Sequence, residues 1–196
     1  NRTKSRIDFQ RSCKDHSTRL WFDSQNTHLL HQHRKGEREM KKVLRAKVPL
    51  LTPNGKTMVP IVITYDDSEV IANPKSEITL LYNGIEYKGY GADYLWTDTI
   101  ADLQTKLPND VKLACCMTCR HGNMCPYGNE ENQLICTKDI TITSKEDMLD
   151  LFDQTDPFEE RAVASLDFCE DFVYQSDDYY TYNDYFYQLS RKMADK

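Results

Sequence analysis

Five of the chain's seven cysteines fall within residues 115–136, a span of 22. So many thiols in one short loop must be buried as small hydrophobes, be paired, or share a ligand. Counted from Cys116, the spacing is C-x2-C-x5-C-x10-C, through Cys119 and Cys125 to Cys136. Two residues between Cys116 and Cys119 turn the backbone so that both thiolates can face one ion. Zinc takes four such ligands in a tetrahedron. An iron–sulfur cluster also takes four thiolates, and Pro126 directly after Cys125 matches the cysteine-proline of cluster loops. The two longer gaps fit neither the commonest zinc finger nor the commonest ferredoxin. A metal site is the leading reading, with a redox disulfide or inert buried thiols as its rivals. His121 is read as a solvated side chain or a hydrogen-bond donor behind the thiolates. Arg120 and Lys138 can offset the negative charge that four thiolates leave on a zinc ion.

At 196 residues and 39% hydrophobic, the chain has material for one domain with a modest core. No apolar run approaches the roughly 18–20 residues of a membrane span, and no signal-peptide pattern is present. We therefore expect a cytoplasmic protein with reduced cysteines; an odd cysteine count forbids complete internal pairing in any case.

Charge divides the chain. Residues 1–39 carry nine Lys/Arg against five Asp/Glu, while residues 40–196 carry 16 against 26. The first segment also holds His16, His28, His31 and His33 and shows no sustained hydrophobic period, so a disordered basic leader is expected there. Lys35-Gly36-Glu37 back-translates into a purine-rich ribosome-binding sequence before Met40. Met40 is accordingly the expected native start, and 40–196 the expected single α+β domain. A basic nucleic-acid arm or a histidine metal cluster is the functional alternative for the leader.

From residue 43 the pattern becomes β. Residues 43–48 and 57–65 predict a hairpin around Thr52-Pro53-Asn54-Gly55-Lys56. Pro49 and Pro60 each lack a ladder donor and belong at edges or bulges. Val70 and Ile71 suggest a short strand. Residues 77–82 and 85–90 predict two more strands around Asn83-Gly84, with Gly89 and Gly91 ending the second. Trp96, Ile100, Leu103 and Leu107 share one helix face over residues 94–107, stopped by Pro108. Residues 111–114 form a short strand leading into the cysteine loop, where Gly122, Gly128 and Asn129 permit tight turns. Beyond it, 140–142 reads as strand and Ser144 to Asp147 as a capping pattern for a helix through Phe152. Residues 153–160 read as an acidic loop, and 162–166 as a short helix or strand. Residues 177–196 predict a final helix with Tyr182, Phe186, Leu189 and Met193 on one face.

Phe168-Cys169-Glu170-Asp171-Phe172 holds an isolated cysteine that can return to the thiol cluster as its last ligand. Between Glu146 and Phe186 stand 13 acidic residues against the single base Arg161. This acidic half, with its exposed tyrosines, disfavours direct contact with nucleic-acid phosphates and fits a basic protein partner.

Cys116-x-x-Cys119, Pro126-Tyr127-Gly128-Asn129, Cys136-Thr137-Lys138-Asp139, Ser144-Lys145-Glu146-Asp147 and Cys169-Glu170-Asp171-Phe172 follow one another in an order that resembles a group of uncharacterised, cysteine-rich bacterial and mobile-element proteins. Their layout is CxxC, a Pro-Tyr-Gly turn, C-x-[RK]-D and a late C-x-x-[FY]. The likeness covers residues 111–172. It implies the ligand set Cys116, Cys119, Cys136 and Cys169. It also makes Cys125 a bystander, since such proteins can carry serine there; Cys125 in place of Cys169 is the alternate ligand set.

These observations predict an α+β domain: a small antiparallel β-meander packed on a helix, a cysteine metal knuckle, and an acidic helical C-terminal part. The expected function is a non-enzymatic accessory or interaction protein with a structural four-cysteine zinc site. The alternatives are an iron–sulfur or thiol redox protein and an acidic antagonist of a nucleic-acid-binding host factor. No G-x-S-x-G, Walker, H-E-x-x-H or G-x-G-x-x-G pattern occurs. A cysteine hydrolase would need His121 as base to a neighbouring thiol, which the spacing does not favour.

Overall fold

The computed structural model describes residues 41–66, 76–92, 96–127, 133–154 and 157–194. The leader with its histidines, the strand expected at Val70-Ile71, and Gly128 and Asn129 lie outside these residues. The chain is α+β, and the described residues group into two compact units. One is Ala114–Phe186; the other is the described part of Phe22–Leu113 with Tyr187–Lys196.

The second unit is built on a five-stranded antiparallel sheet of order β4-β3-β2-β1-β5. Strands β1 (Lys41–Thr52) and β2 (Gly55–Asp66) form a long hairpin closed by the pair Thr52↔Gly55. Thr52 Oγ1 accepts from the Asn54 N–H at 3.2 Å and donates to Gly55 O at 2.8 Å, which fixes the turn. The left-handed residue is Gly55, at φ 103°. Pro60 lies one residue outside the Ile61–Tyr65 stretch paired with β3, and Pro49 one residue outside the two residues paired with β5. Each proline thus sits where its second neighbour's ladder stops, so no hydrogen bond is forfeited.

Strands β3 (Ser76–Tyr82) and β4 (Ile85–Gly91) flank Asn83 and Gly84, both left-handed at φ 52° and 77°, the type I′ geometry that Asn-Gly favours. Strand β5 is Lys112–Leu113. Alternate residues Ile78 and Leu80, Ile61 and Ile63, and Val48 and Leu50 are fully or almost fully buried. Each such side chain contributes about 2 kcal/mol by leaving water.

Helix α1 (Trp96–Gln104) packs on β3 and β4 and brings Trp96, Ile100 and Leu103 into the core. Trp96 meets Tyr65 edge-on at 5.7 Å. The helix ends at Gln104, and buried Leu107 follows it in a turn before Pro108. Gly89 and Gly91 lie inside β4. A Cβ on Gly89 would stand 2.4 Å from Thr99 O, so Gly89 serves close helix approach and does not end the strand, whose last residue is Gly91.

In the other unit a 3₁₀ turn (Cys116–Thr118) precedes a three-stranded antiparallel sheet, β6 (Gly122–Asn123), β7 (Gln133–Cys136) and β8 (Ala162–Ala164). Helices α2 (Lys145–Gln154) and α3 (Pro157–Arg161) lie between β7 and β8 in sequence. The start of α2 is a reciprocal cap: the Asp147 N–H donates to Ser144 Oγ, and the Ser144 N–H donates to Asp147 Oδ2 at 3.0 Å. Thr143 adds its N–H and hydroxyl to that carboxylate, holding Asp147 below the usual carboxylate range.

Three expectations are corrected. Residues 140–142 are not a strand: Ile140 closes a turn onto Thr137 O, and Ile142 is buried in the core without a ladder partner. The acidic segment before Arg161 contains α3. The last helix, α4, runs only over Tyr185–Ala194. The backbone and side chains of residues 181–183 bond instead to the cysteine loop, and such tertiary bonds replace a helical turn. The buried residues of α4 are Tyr185 and Leu189, while Met193 is 62% exposed.

Candidate metal centre

The cysteine loop is held along its length by the chain that follows β8. Cys116 donates its N–H to Asp167 O at 2.7 Å and Met117 to Ser165 O at 2.9 Å. Arg120 donates to Val173 O at 2.8 Å, and Gln175 donates to Thr118 O at 3.0 Å. Cys119 and Tyr174 form an antiparallel bridge. Residues 165–175 therefore run alongside 116–120, and Cys169 lies in the arc between these anchors, closing a turn with Phe172.

Cys136 enters from β7, where it pairs with Gly122. Gly122 in turn donates to Cys119 O at 3.0 Å. Its own Cβ, if it had one, would fall 2.0 Å from Cys116 O. The backbone thus crowds the segments bearing Cys116, Cys119 and Cys136 together, with that of Cys169 beside them.

Electrostatics agree with this arrangement. Burial pushes the Cys119 thiol up, and negative charge on Cys136 and Cys169 would push it further. Burial likewise raises Cys116, followed by the effects of Cys115, Cys119, Asp167 and Cys136. Cys116 and Cys119 are buried, Cys136 is half-buried and Cys169 is exposed. Among the described residues no three His, Cys, Asp or Glu side chains already stand at the spacing that holds one ion.

Of the two remaining described cysteines, Cys125 packs elsewhere, whereas negative charge on Cys115 also bears on Cys116. Cys125 belongs to the hydrophobic cluster of Ile135, Ile142, Met148 and Phe152. Side chains alternate along a strand, so Cys125 packs on the Ile135 face of β7, opposite the one that carries Cys136. Cys115 is fully buried, its Sγ 3.9 Å from Thr118 Oγ1, and burial lifts its thiol to about 11. It neighbours Tyr174 and Tyr185, whose hydroxyls share a 2.5 Å hydrogen bond.

Lys138 lies near the thiols: its ammonium is stabilised first by Asp171 at 2.5 Å, and also by charge on Cys169 and Cys136. That exposed pair links the residues following Cys136 to those following Cys169, while adding little stability by itself. Arg161 grips Asp139 with two guanidinium nitrogens, at 2.5 and 3.0 Å, and fixes the other side of the same turn. Arg120 turns away from the thiols. It bonds Ser176 Oγ at 3.0 Å and stacks on Tyr179 at 4.8 Å. His121 is half-buried against the edge of the same tyrosine, with Nδ1 lacking a hydrogen-bond partner, and burial lowers its pKa.

A set of amides, Asn123 and Gln175 buried and Asn183 half-buried, holds the site and carries no motif of its own. Asn123 donates to Thr137 Oγ1 at 2.8 Å and accepts from the Tyr182 N–H at 2.6 Å. Gln175 Nε2 bridges Met117 O and Cys119 O. Asn183 Nδ2 bridges Met117 O and Gly122 O at 3.0 and 2.9 Å, while its Oδ1 accepts from the Tyr185 N–H. The only sequence signal is Asn183 standing two residues before a helix, an Asx-turn position. Asn183→Ala should cost about 2 kcal/mol in denaturant unfolding, because two carbonyls and one helix N–H lose their partner together; Asn183→Asp should restore only the helix cap.

Comparison with protein-family models, with curated proteins and with solved structures finds no match for this chain.

Proposed function

We propose that this is a non-enzymatic accessory or interaction protein in which Cys116, Cys119, Cys136 and Cys169 bind one structural zinc ion. The observation that carries this is the crowding of four cysteine-bearing segments by backbone hydrogen bonds, while Cys125 packs in a hydrophobic cluster. Four thiolates fill a zinc tetrahedron and leave no place for a reactive water. The backbone that would present the four thiolates is held by hydrogen bonds and strand pairing. Lys138 would offset part of the charge. Among the described residues no helix is long and apolar enough to cross a membrane.

The surface offered to a partner is acidic and rich in tyrosine. An open cleft of about 370 Å³ is lined by Asp177, Asp178, Tyr180 and Phe186, among others. Carboxylates beside aromatic faces suit a basic protein segment.

Elemental analysis of untagged protein purified without oxygen tests the metal. One zinc per chain is expected, lost in Cys119→Ser and Cys136→Ser and retained in Cys125→Ser. Zinc retained in Cys169→Ser but lost in Cys125→Ser would favour the alternate ligand set. Iron with sulfide and a visible absorbance band would replace zinc by a cluster.

A further inference from the structure

We propose that the outer edge of β1 takes an extended acidic peptide of a partner protein as an added strand of the five-stranded sheet. The proposal does not depend on the zinc reading.

Backbone parity decides which groups of β1 point outward. Thr52 and Gly55 flank a two-residue turn as a hydrogen-bonded pair, so the even-numbered residues of β1 bond to β2 and the odd-numbered ones point away from it. The prolines agree. Pro49 stands opposite Met58 and Pro60 opposite Lys47, in pairs that exchange no hydrogen bond, so the missing N–H is not called on. The far side agrees as well. Leu113 donates its N–H to Gln104 Oε1 at 2.9 Å, so the bonded pair between β1 and β5 is Leu51 with Lys112. Strand β5 covers only Leu50 and Leu51 of this edge. Val43, Arg45 and Lys47 therefore turn their N–H and C=O groups outward over about 14 Å, and among the described residues no strand pairs with them.

The opposite edge of the sheet is closed by α1. The Tyr90 N–H in β4 donates to Asp102 Oδ2 at 2.8 Å, and the Ala92 N–H just beyond it donates to Asp98 Oδ2 at 3.2 Å. No described helix caps the β1 edge in this way.

The side chains beside the edge define its occupant. Val43, Arg45 and Lys47 are exposed on one face of the sheet, while Leu44 and Ala46 are half-buried on the other. A strand laid against them meets two cations on the first face and apolar surface on the second. Its best partner carries carboxylates at alternate positions with apolar residues between them. Main-chain bonds supply affinity and the alternate side chains supply selectivity. A second copy of this chain is a poor occupant, because pairing β1 with β1 sets Arg45 and Lys47 against the same cations; basic side chains on sheet edges suppress such self-pairing. Residues 1–39, with nine Lys/Arg against five Asp/Glu, are disfavoured on the same ground.

The test uses full-length protein and a fluorescent, capped heptapeptide that alternates glutamate and valine, with a lysine–valine peptide as its control. Fluorescence anisotropy should show binding of the glutamate peptide, weakened by salt, and not of the lysine peptide. Arg45→Glu combined with Lys47→Glu should weaken the glutamate peptide roughly tenfold and admit the lysine peptide. Both side chains are exposed, so the fold is not at stake. In an antiparallel addition the glutamates opposite Arg45 and Lys47 turn their N–H groups to β1. N-methylation at the glutamates should therefore abolish binding, and N-methylation at the valines should leave it. Amide hydrogen exchange followed by NMR locates the contact: Val43, Arg45 and Lys47 should exchange fast in the free protein and become protected by the peptide, with Leu44 and Ala46 protected throughout. No binding of the glutamate peptide, equal binding of the two peptides, or indifference to the methylated set would each overturn the proposal. Protection of Val43, Arg45 and Lys47 without peptide would overturn it too, assigning the edge to the chain's own segment in a monomer or to a second copy in a dimer.

Discussion

Gly122→Ala should destabilise the protein by about 3 kcal/mol, the upper part of the range for forcing a group into a packed site, and, on the proposed zinc reading, weaken metal binding with it. An added Cβ would lie 2.0 Å from the carbonyl oxygen of Cys116 and 3.3 Å from Leu134 Cδ1. The first contact is with backbone, so no side-chain rotation relieves it. The same carbonyl accepts from the Cys119 N–H at 3.2 Å, so pushing it aside opens the turn between the first two thiols. Retreat of Gly122 is blocked as well. Its N–H is held by Cys119 O, its own carbonyl by Asn183, and its strand position by pairing with Cys136. Urea unfolding followed by tryptophan and tyrosine fluorescence, together with competitive zinc titration, measures both effects. A variant within about 0.5 kcal/mol of the parent, the range of an ordinary surface change, would contradict the close approach on which the site depends.

Gly89→Ala should cost a similar amount, about 3 kcal/mol, through the other unit. Its Cβ would stand 2.4 Å from Thr99 O and 2.7 Å from Leu103 N, both backbone atoms of α1. Helix and strand would have to separate, loosening Ile100 and Leu103, which are fully buried. Gly84→Ala is the control. Gly84 has φ 77°, and nothing lies within 4 Å of the place an added methyl would take, so only the left-handed backbone is penalised, at about 1 kcal/mol. Equal unfolding free energies for the two variants would mean that α1 does not rest on Gly89.

Much of the sheet is legible in the sequence because its signals are local. Asn83-Gly84 demands left-handed φ, and the alternation of Ile78 and Leu80 or Ile61 and Ile63 has the period of a half-buried strand. The cap on α2 is legible for the same reason: Ser144 and Asp147 satisfy each other within one turn. Residues 177–184 match a helical period through their tyrosines and Phe186, yet the helix begins only at Tyr185. Their hydrogen-bond partners, Arg120, Asn123, Met117 and Gly122, lie about 60 residues away in sequence, as in the separation of 59 between Asn123 and Tyr182. The strand expected at 140–142 fails similarly, since burial of Ile142 comes from the cluster around Phe152 and not from a ladder.

Sequence alone determined that this chain has antiparallel hairpins, an amphipathic helix after them, and a thiol-dense loop, because turn chemistry, period and cysteine spacing act within a few residues. The tertiary structure decided which cysteines are neighbours. Cys125 lies closer to Cys119 in sequence than Cys136 does, yet β7 turns Ile135 and Cys136 to opposite faces and leaves Cys125 with Ile135. The segment carrying Cys169 reaches the loop only through the anchors of Ser165, Asp167, Val173 and Gln175. The glycines divide in the same way: Gly84 is required by its own φ, whereas Gly89 and Gly122 are required by a backbone that arrives from elsewhere. A local rule cannot report a contact made across the fold, because the atom that forbids a side chain is not in the window that the rule reads.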